Sequence, residues 1–203
     1  MKRIARYLLL AVLLWLLFLV LSMVIPPLVH KTAGPGDWEA EPEMTDAAPE
    51  RVRSIDDNQD ALLWRLRLIE AAQEQIILAT FDFWDEEGGR DVMGALWNAA
   101  ERGVEVQVLV DGLNGGGRPL SSSDLFCQLA AHENVEVRLY NPLNLLAPWK
   151  TNYRMHDKYL IADDLAYLLG GRNTDNRFWA ATLTTTTWTA TFWSMRQSPD
   201  RGS

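Results

Sequence analysis

Residues 155–173 read MHDKYLIADDLAYLLGGRN and bring together side chains that could bind an anion and react with it. The set combines an imidazole, an ammonium, a carboxylate, two glycines and an amide: His156, Lys158, Asp163, Gly170, Gly171 and Asn173. Side chains alternate between the two faces of a strand, so His156 and Lys158 are expected on the same side. A lysine and an amide beside a histidine suit an anion such as phosphate.

Two short apolar runs within this stretch must position these groups. DKYLIADD and LAYLLGG follow each other with almost no connection, which predicts a β-hairpin. The hairpin would return Gly170, Gly171 and Asn173 to the vicinity of His156. The two glycines would leave room beside the imidazole.

The preceding 100 residues alternate between helical and strand patterns. Apolar spacing predicts a helix through residues 62–69, with Asp56 or Asp57 as the N-cap. A strand over 76–84, a helix ending at Gly103, the strand VEVQVLVDG, a helix capped by Ser122 or Ser123 and the strand VEVRLYNP follow. The pattern predicts an α/β layered domain around a mixed β-sheet flanked by helices.

The N-terminus carries a long apolar segment. Residues 7–25 are uncharged and follow Lys2, Arg3 and Arg6, and about 20 apolar residues span a bilayer. A cleaved signal peptide has a shorter apolar region, so we expect one transmembrane helix, ended by Pro26 and Pro27. The basic flank predicts a cytoplasmic N-terminus and an extracytoplasmic domain.

Composition limits the remaining function classes. The net charge is −8, which disfavours binding to nucleic acid by general phosphate attraction. Cys127 is the single cysteine and is expected to be buried in a helix, while His132 is expected at the surface. With three scattered histidines no zinc spacing appears, and neither a metal nor a cofactor is expected.

The motif as a whole resembles the signature of the phospholipase D superfamily, HxKxxxxD followed six residues later by G-G/S-x-N. Every position of that signature is matched within residues 155–173. Residues 55–178 resemble the first lobe of that family, including members similar to cardiolipin synthase.

The resemblance implies phosphodiester chemistry without a metal. His156 would attack phosphorus and form a phosphohistidine, which water or an alcohol resolves. Lys158 and Asn173 would hold the non-bridging oxygens, with Gly170 and Gly171 lining the phosphate site. Asp163 would support the site, and a second histidine would protonate the leaving oxygen. The expected substrate is a phospholipid or another phosphodiester.

The sequence departs from the family because it contains one HxK motif, where a complete site needs two. The second copy would come from a further lobe or from a homodimer. Two alternatives therefore stay open: a nuclease of this family that is active as a homodimer, and an inactive truncated membrane-anchored fragment. Half of a two-lobed fold would also expose a sheet face or edge that its partner covers.

Four regions follow from these patterns: a membrane anchor (1–30), an acidic Pro/Gly linker (31–53), the catalytic lobe (54–178) and an atypical Thr/Trp-rich tail (179–203). One shifted frame of permitted codons for residues 188–203 encodes DRDVLVYEAEPGQGE, which resembles the family's continuation. This favours a frameshift just after Phe178 that replaces a longer native sequence.

Overall fold

The structure, a computed structural model, describes residues 2–29, 50–113, 123–163, 166–179 and 191–196. The chain divides into two compact units. The first comprises Met1–Met44 and Leu143–Arg154, and the second comprises Thr45–Pro142 and Met155–Ser203.

The first unit is built on the apolar helix α1 (Lys2–Val29), against which a short 3₁₀ helix (Pro148–Asn152) packs. Within α1, the stretch Arg3–Pro26 has a mean hydropathy of 3.1 and is long and apolar enough to cross a membrane. The prediction that the two prolines end the helix is wrong, because α1 continues to Val29. Proline removes a helical N–H donor but keeps a helical φ, so the backbone can continue with some carbonyls unpaired.

The second unit contains a seven-stranded mixed sheet within the described residues. Its strands are β1 (Glu50–Ile55), β2 (Gln75–Thr80), β3 (Glu105–Asp111), β4 (Val135–Tyr140), β5 (Tyr159–Ala162), β6 (Ala166–Gly170) and β7 (Thr191–Arg196). The order is β1-β7-β6-β5-β2-β3-β4, in which β2, β3 and β4 are parallel and the other neighbours are antiparallel. The predicted hairpin is present as β5 and β6.

A layer of helices covers one face of this sheet: α2 (Asn58–Ala71), α3 (Glu87–Glu101) and α4 (Asp124–Ala131). α3 contacts both α2 and α4, and the valines of β3 that face this layer are fully buried. Asp57 and Ser123 are the N-caps of α2 and α4, each accepting hydrogen bonds from the first turn. The predicted α/β layered fold with a mixed sheet is confirmed.

The opposite sheet face is less covered. Ile77, Ile161 and Tyr167 point to it and are half-buried, and Leu169 keeps 44% of its surface exposed. Apolar side chains along adjacent strands therefore leave a partly exposed apolar patch on this face.

Both ends of the lobe extend beyond the predicted boundaries. β1 begins at Glu50, ahead of the predicted start at residue 54, and residues 30–49 lie outside the described residues. β7 belongs to the tail and pairs with both β1 and β6. The threonine-rich sequence of the tail shows no clean alternation, so the period-2 signal could not identify this strand.

Two glycines, one in α3 and one just after it, lie where the backbone disfavours any other residue. Gly89 lies where the first turn of α3 passes the backbone of Trp84, and a Cβ there would overlap the Trp84 carbonyl. Gly103 has φ of 90° and ends the helix as predicted.

Two buried arginines connect the helix layer to the motif and differ in their partners. Arg172 donates to the carbonyls of Ile55 and Asp56 and to Oδ1 of Asn58, and so ties the end of the hairpin to the start of α2. Arg65 donates one bond, to the Arg172 carbonyl, and lies 5.1 Å from the Trp179 ring. Nε and Nη1 of Arg65 have no hydrogen-bond partner among the described residues. Burial, followed by the charge of Arg172, lowers the pKa of Arg65 to about 10.

We expect these arginines to respond differently to replacement by methionine. Arg172→Met removes three hydrogen bonds, one of them to the buried Ile55 carbonyl, and should lower the free energy of unfolding by about 3 kcal/mol. Arg65→Met removes a poorly paired buried charge and should stay within about 1 kcal/mol of the parent. Urea denaturation in mild detergent measures both. Equal losses of unfolding free energy in the two variants would contradict the difference in hydrogen bonding between Arg172 and Arg65.

Candidate active site

The motif side chains gather at one edge of the sheet because of strand direction. β5 runs antiparallel to both β2 and β6, so its start lies beside their ends. In register, Tyr159 pairs with Ala79 of β2 and with Leu169 of β6. His156 and Lys158, which precede β5, therefore adjoin the residues that follow Thr80 and Gly170.

His156 and Lys158 share an aromatic neighbour. The His156 ring lies 4.9 Å from the Phe81 ring between centroids, and Lys158 Nζ lies 5.4 Å from the same ring. His156 is exposed, whereas Lys158 is only 6% exposed. Lys158 Nζ also donates to the His156 carbonyl at 2.7 Å. An accessible imidazole and a fixed ammonium therefore both lie near the Phe81 ring, at this edge of the sheet.

The environment of Lys158 favours loss of its proton. Burial lowers the pKa of Lys158 from its ordinary value, and the carboxylates of Asp82 and Asp157 partly oppose this effect. A cation with little water around it interacts more strongly with an incoming anion, because the local screening is reduced.

Asn173 is buried and fixed on both sides. Its Oδ1 accepts from the Asp82 N–H at 3.4 Å, and its carbonyl accepts from Trp179 Nε1 at 2.7 Å. The next residue, Thr174, bonds to the Asp82 carbonyl through its N–H and to the Trp84 N–H through its carbonyl. With Oδ1 facing the backbone, the amide Nδ2 is the part of Asn173 left to contact a ligand.

A chain of charged groups begins at Asp82, directly after β2. Asp82 Oδ2 accepts from Arg177 Nη2 at 2.9 Å, and Arg177 also binds both carboxylate oxygens of the buried Asp175. Burial raises the pKa of Asp82, while Arg177 opposes this. Asp82 thus partly compensates the charge of Lys158.

Asp111 holds the chain that leads into the motif. It ends β3 at the same sheet edge, is fully buried, and accepts from the Met155 N–H at 3.2 Å. This bond fixes the backbone immediately before His156.

Asp163 lies at the other end of β5. His156 and Asp163 flank that strand and are seven residues apart, which corresponds to roughly 20 Å of extended chain. The Asp163 carboxylate accepts the backbone N–H groups of residues 73–75, and its φ of 51° places it in the left-handed region. The structure therefore does not bring Asp163 together with His156, and its bonds tie the hairpin to the start of β2.

The two glycines and the other residues named from the sequence lie in different environments. The Gly170 N–H donates to the Lys158 carbonyl, so it continues the strand ladder, and Gly171 is half-buried beside it. The prediction that His132 lies at the surface is wrong, because Trp97 and Glu101 flank its ring and leave its side chain 9% exposed. Cys127 is exposed, which contradicts the predicted burial, since α4 turns Phe126 and Leu129 inward. His30 lies outside the described residues.

Sequence reasoning missed Phe81, Asp82, Asp111 and Arg177. The predicted strand over 76–84 placed Phe81 and Asp82 inside a strand, whereas β2 ends at Thr80. The available signal was positional, because ligand sites of open α/β sheets lie beyond the carboxyl ends of parallel strands. Within the described residues, no group of His, Cys, Asp and Glu side chains is arranged to hold a metal ion.

A family model described as "Cardiolipin synthase, PLD-like domain" matches residues 66–189, which is more than half of the chain. The chain belongs to the phospholipase D superfamily. This confirms the resemblance, and the match extends beyond Phe178 into the tail.

Among known members, cardiolipin synthase C of Escherichia coli is 34% identical over 136 residues, 63% of this chain and 28% of that protein. Cardiolipin synthase B of Salmonella typhi is 39% identical over 107 residues, 52% of this chain and 25% of that protein. The chain spans about a quarter of the length of these curated relatives. NucT from Helicobacter pylori shares the fold, with a TM-score of 0.55 at 20% identity, over 72% of this chain and 86% of NucT.

The contacts of Asp163 generate a pH-dependent prediction. Burial raises the pKa of its carboxyl, but the N–H groups of residues 73–75 outweigh burial, so the pKa lies below its ordinary value. A depressed pKa contributes stability above the unfolded-state pKa of about 4, and this stability is lost as pH falls through the folded-state pKa. Asp163→Asn should lower the free energy of unfolding by about 1–3 kcal/mol at pH 7, and by progressively less as pH falls below about 4 and through the folded-state pKa.

Asparagine tolerates the left-handed backbone, so this substitution removes the charge and one acceptor oxygen without straining the chain. Asp157→Asn is the matched control, since Asp157 is exposed, and it should change stability by less than about 0.5 kcal/mol. Unchanged stability together with lost turnover in Asp163→Asn would instead assign Asp163 to the chemistry.

Proposed function

We propose that this lobe is a phospholipase D-type phosphodiesterase or phosphatidyltransferase that acts on phospholipid through a phosphohistidine intermediate. The observation that carries the proposal is the pairing of an exposed nucleophile with buried phosphate-binding groups. His156 is accessible, while Lys158 and Asn173 are buried around it at one sheet edge. The similarity to cardiolipin synthases B and C supports a phospholipid as substrate.

The chemistry divides into two displacements at phosphorus. A ring nitrogen of His156 forms the N–P bond, and the bond from phosphorus to the leaving oxygen breaks. That oxygen takes a proton from a second histidine. Water or an alcohol then gives its proton to the same histidine and attacks phosphorus, and His156 departs with the electron pair of the N–P bond.

Lys158 and the Asn173 amide stabilise the charge that builds on the non-bridging oxygens. The Asp82 carboxylate assists indirectly, because it counters the lowering of the Lys158 pKa by burial. Gly170 and Gly171 line the phosphate site, where the lack of side chains leaves room beside the imidazole. Asp163 acts as a positioning residue that fixes the distal end of β5.

The second histidine is the part that this lobe does not supply. The sequence holds one HxK motif, so a second copy of the chain, or a further lobe carrying the motif, would complete the site. The half-buried apolar patch on the sheet face is consistent with such a partner.

The proposal includes the location of the lobe. α1 would anchor the protein as a single-pass helix, with the basic N-terminus in the cytoplasm and the lobe outside the cytoplasmic membrane. A tethered lobe of negative net charge suits a phospholipid better than a nucleic acid.

Substitution of the motif tests the chemistry. His156→Asn should abolish turnover of phosphatidylcholine or of bis-p-nitrophenyl phosphate, because no N–P bond can form. Lys158→Ala should lower turnover about 100-fold, a loss of about 3 kcal/mol that is typical of one stabilising donor. His132→Asn is the matched control and should retain turnover per folded molecule.

Mixing experiments separate the two sources of the second histidine. If a dimer completes the site, each mixed dimer of parent and His156→Asn chains lacks one histidine, so activity should fall below the parent fraction. Activity that survives His156→Asn would refute the proposed nucleophile.

Removal of the anchor tests the location. Deletion of residues 1–31 removes the span Arg3–Pro26, so the remaining chain should move from washed membranes to the soluble fraction. Retention of the deleted form in membranes after alkaline carbonate washing, which removes peripherally bound protein, would argue against α1 as the anchor.

A further inference from the structure

Residues 143–154, which read LNLLAPWKTNYR, form an apolar segment in the same compact unit as α1. Leu143, Leu145 and Leu146 are exposed, and Leu146 keeps 89% of its surface accessible. Trp149 and Tyr153 are also exposed. Single exposed leucines are ordinary in soluble proteins, but three in four residues followed by two aromatic side chains are not.

A hydrogen bond connects this segment to α1 at a defined depth. Asn152 Nδ2 donates to the Met23 carbonyl at 2.6 Å. In a regular helix the N–H four residues later would occupy that carbonyl, but residue 27 is a proline and has no N–H. Asn152 therefore satisfies an acceptor that the helix itself leaves open, which matters most where water is scarce.

The position of Met23 sets the level of the segment. Met23 lies in the last turn of the apolar stretch Arg3–Pro26, so the 3₁₀ helix adjoins the end of that stretch. In a membrane this level is the boundary between acyl chains and headgroups, where tryptophan and tyrosine are enriched.

We propose that residues 143–153, which we call the interfacial segment, form a second membrane contact beside α1. Its leucines enter the acyl boundary of the leaflet in which α1 ends, and Trp149 and Tyr153 lie at the headgroup level. This inference rests on the proposed role of α1 as the anchor. The partner is a lipid surface, because the segment is bonded to the helix that would cross it.

The interfacial segment is also connected to the nucleophile by a short length of chain. Tyr153 and His156 are separated by three peptide units, which span at most about 11 Å when extended. This limits how far the His156 backbone can lie from Tyr153, and the segment itself takes no part in the chemistry.

Site-directed fluorescence on the full chain tests the proposal. In a Cys127→Ser background, single cysteines replace Leu146, Leu14 in the middle of α1, or Leu63 on the exposed side of α2. Each cysteine carries the environment-sensitive dye NBD, and the protein is reconstituted into phosphatidylcholine–phosphatidylglycerol vesicles containing doxyl-labelled phosphatidylcholine. Aqueous iodide is the opposing quencher.

We expect the label at Leu146→Cys to be blue-shifted, to lose fluorescence to the doxyl lipid and to resist iodide. The label at Leu63→Cys should show the reverse. Absence of doxyl quenching at Leu14→Cys would refute the anchor itself. Doxyl quenching at position 14 but not at 146 would refute the interfacial segment alone. Protection of position 146 from both quenchers would mean that protein covers the leucines, and would also overturn the proposal.

A second variant tests the bond between the segment and α1. Asn152→Leu is apolar and of similar size but cannot donate to the Met23 carbonyl. If the bond sets the depth, doxyl quenching at position 146 should fall in this variant despite its greater hydrophobicity. Undiminished quenching would refute the role of Asn152.

Discussion

The site depends on the antiparallel pairing of β5 between β2 and β6. This direction brings the start of one strand to the ends of two others, and the register of Tyr159 with Ala79 and Leu169 fixes the distance. A slip by one residue would turn every side chain of β5 to the other face. The bonds of Asp111 to Met155 and of Gly170 to Lys158 hold the approach to β5 in register. The backbone hydrogen bonds of the sheet therefore determine where the imidazole lies.

Charge compensation is the second constraint. Asp82, Arg177 and Asp175 are connected in series, and the Asp82 carboxylate also acts on Lys158. The two cations and two carboxylates leave the described site without an excess of positive charge. Under the proposed function, a bound phosphodiester would add a negative charge, and a second copy of the motif would bring a lysine as well as a histidine to offset it. Arg65, by contrast, is a buried cation in which Nε and Nη1 have no hydrogen-bond partner among the described residues.

Much of the lobe could be predicted from sequence, because its signals are local. Apolar periodicity, the caps Asp57 and Ser123 and the short hairpin connection all depend on neighbouring residues. The failures depended on tertiary contacts. β2 ends early where Thr174, 92 residues further along the chain, binds the Asp82 backbone, and His132 is covered by Trp97 of another helix. The spacing of the motif predicted the hairpin that returns Asn173 toward His156, but it could not identify Phe81, which follows β2 and contacts the imidazole.

The bond from Lys158 Nζ to the His156 carbonyl has a consequence for ligand affinity. A free lysine side chain samples many rotamers, and fixing it on binding loses up to about 2 kcal/mol of entropy. Here the side chain is already held by its own backbone bond and by the Phe81 ring, so the loss occurs during folding. An ammonium has three N–H donors, and the carbonyl uses one of them. A phosphate can therefore engage the others without displacing the bond, and more of its interaction energy appears as binding.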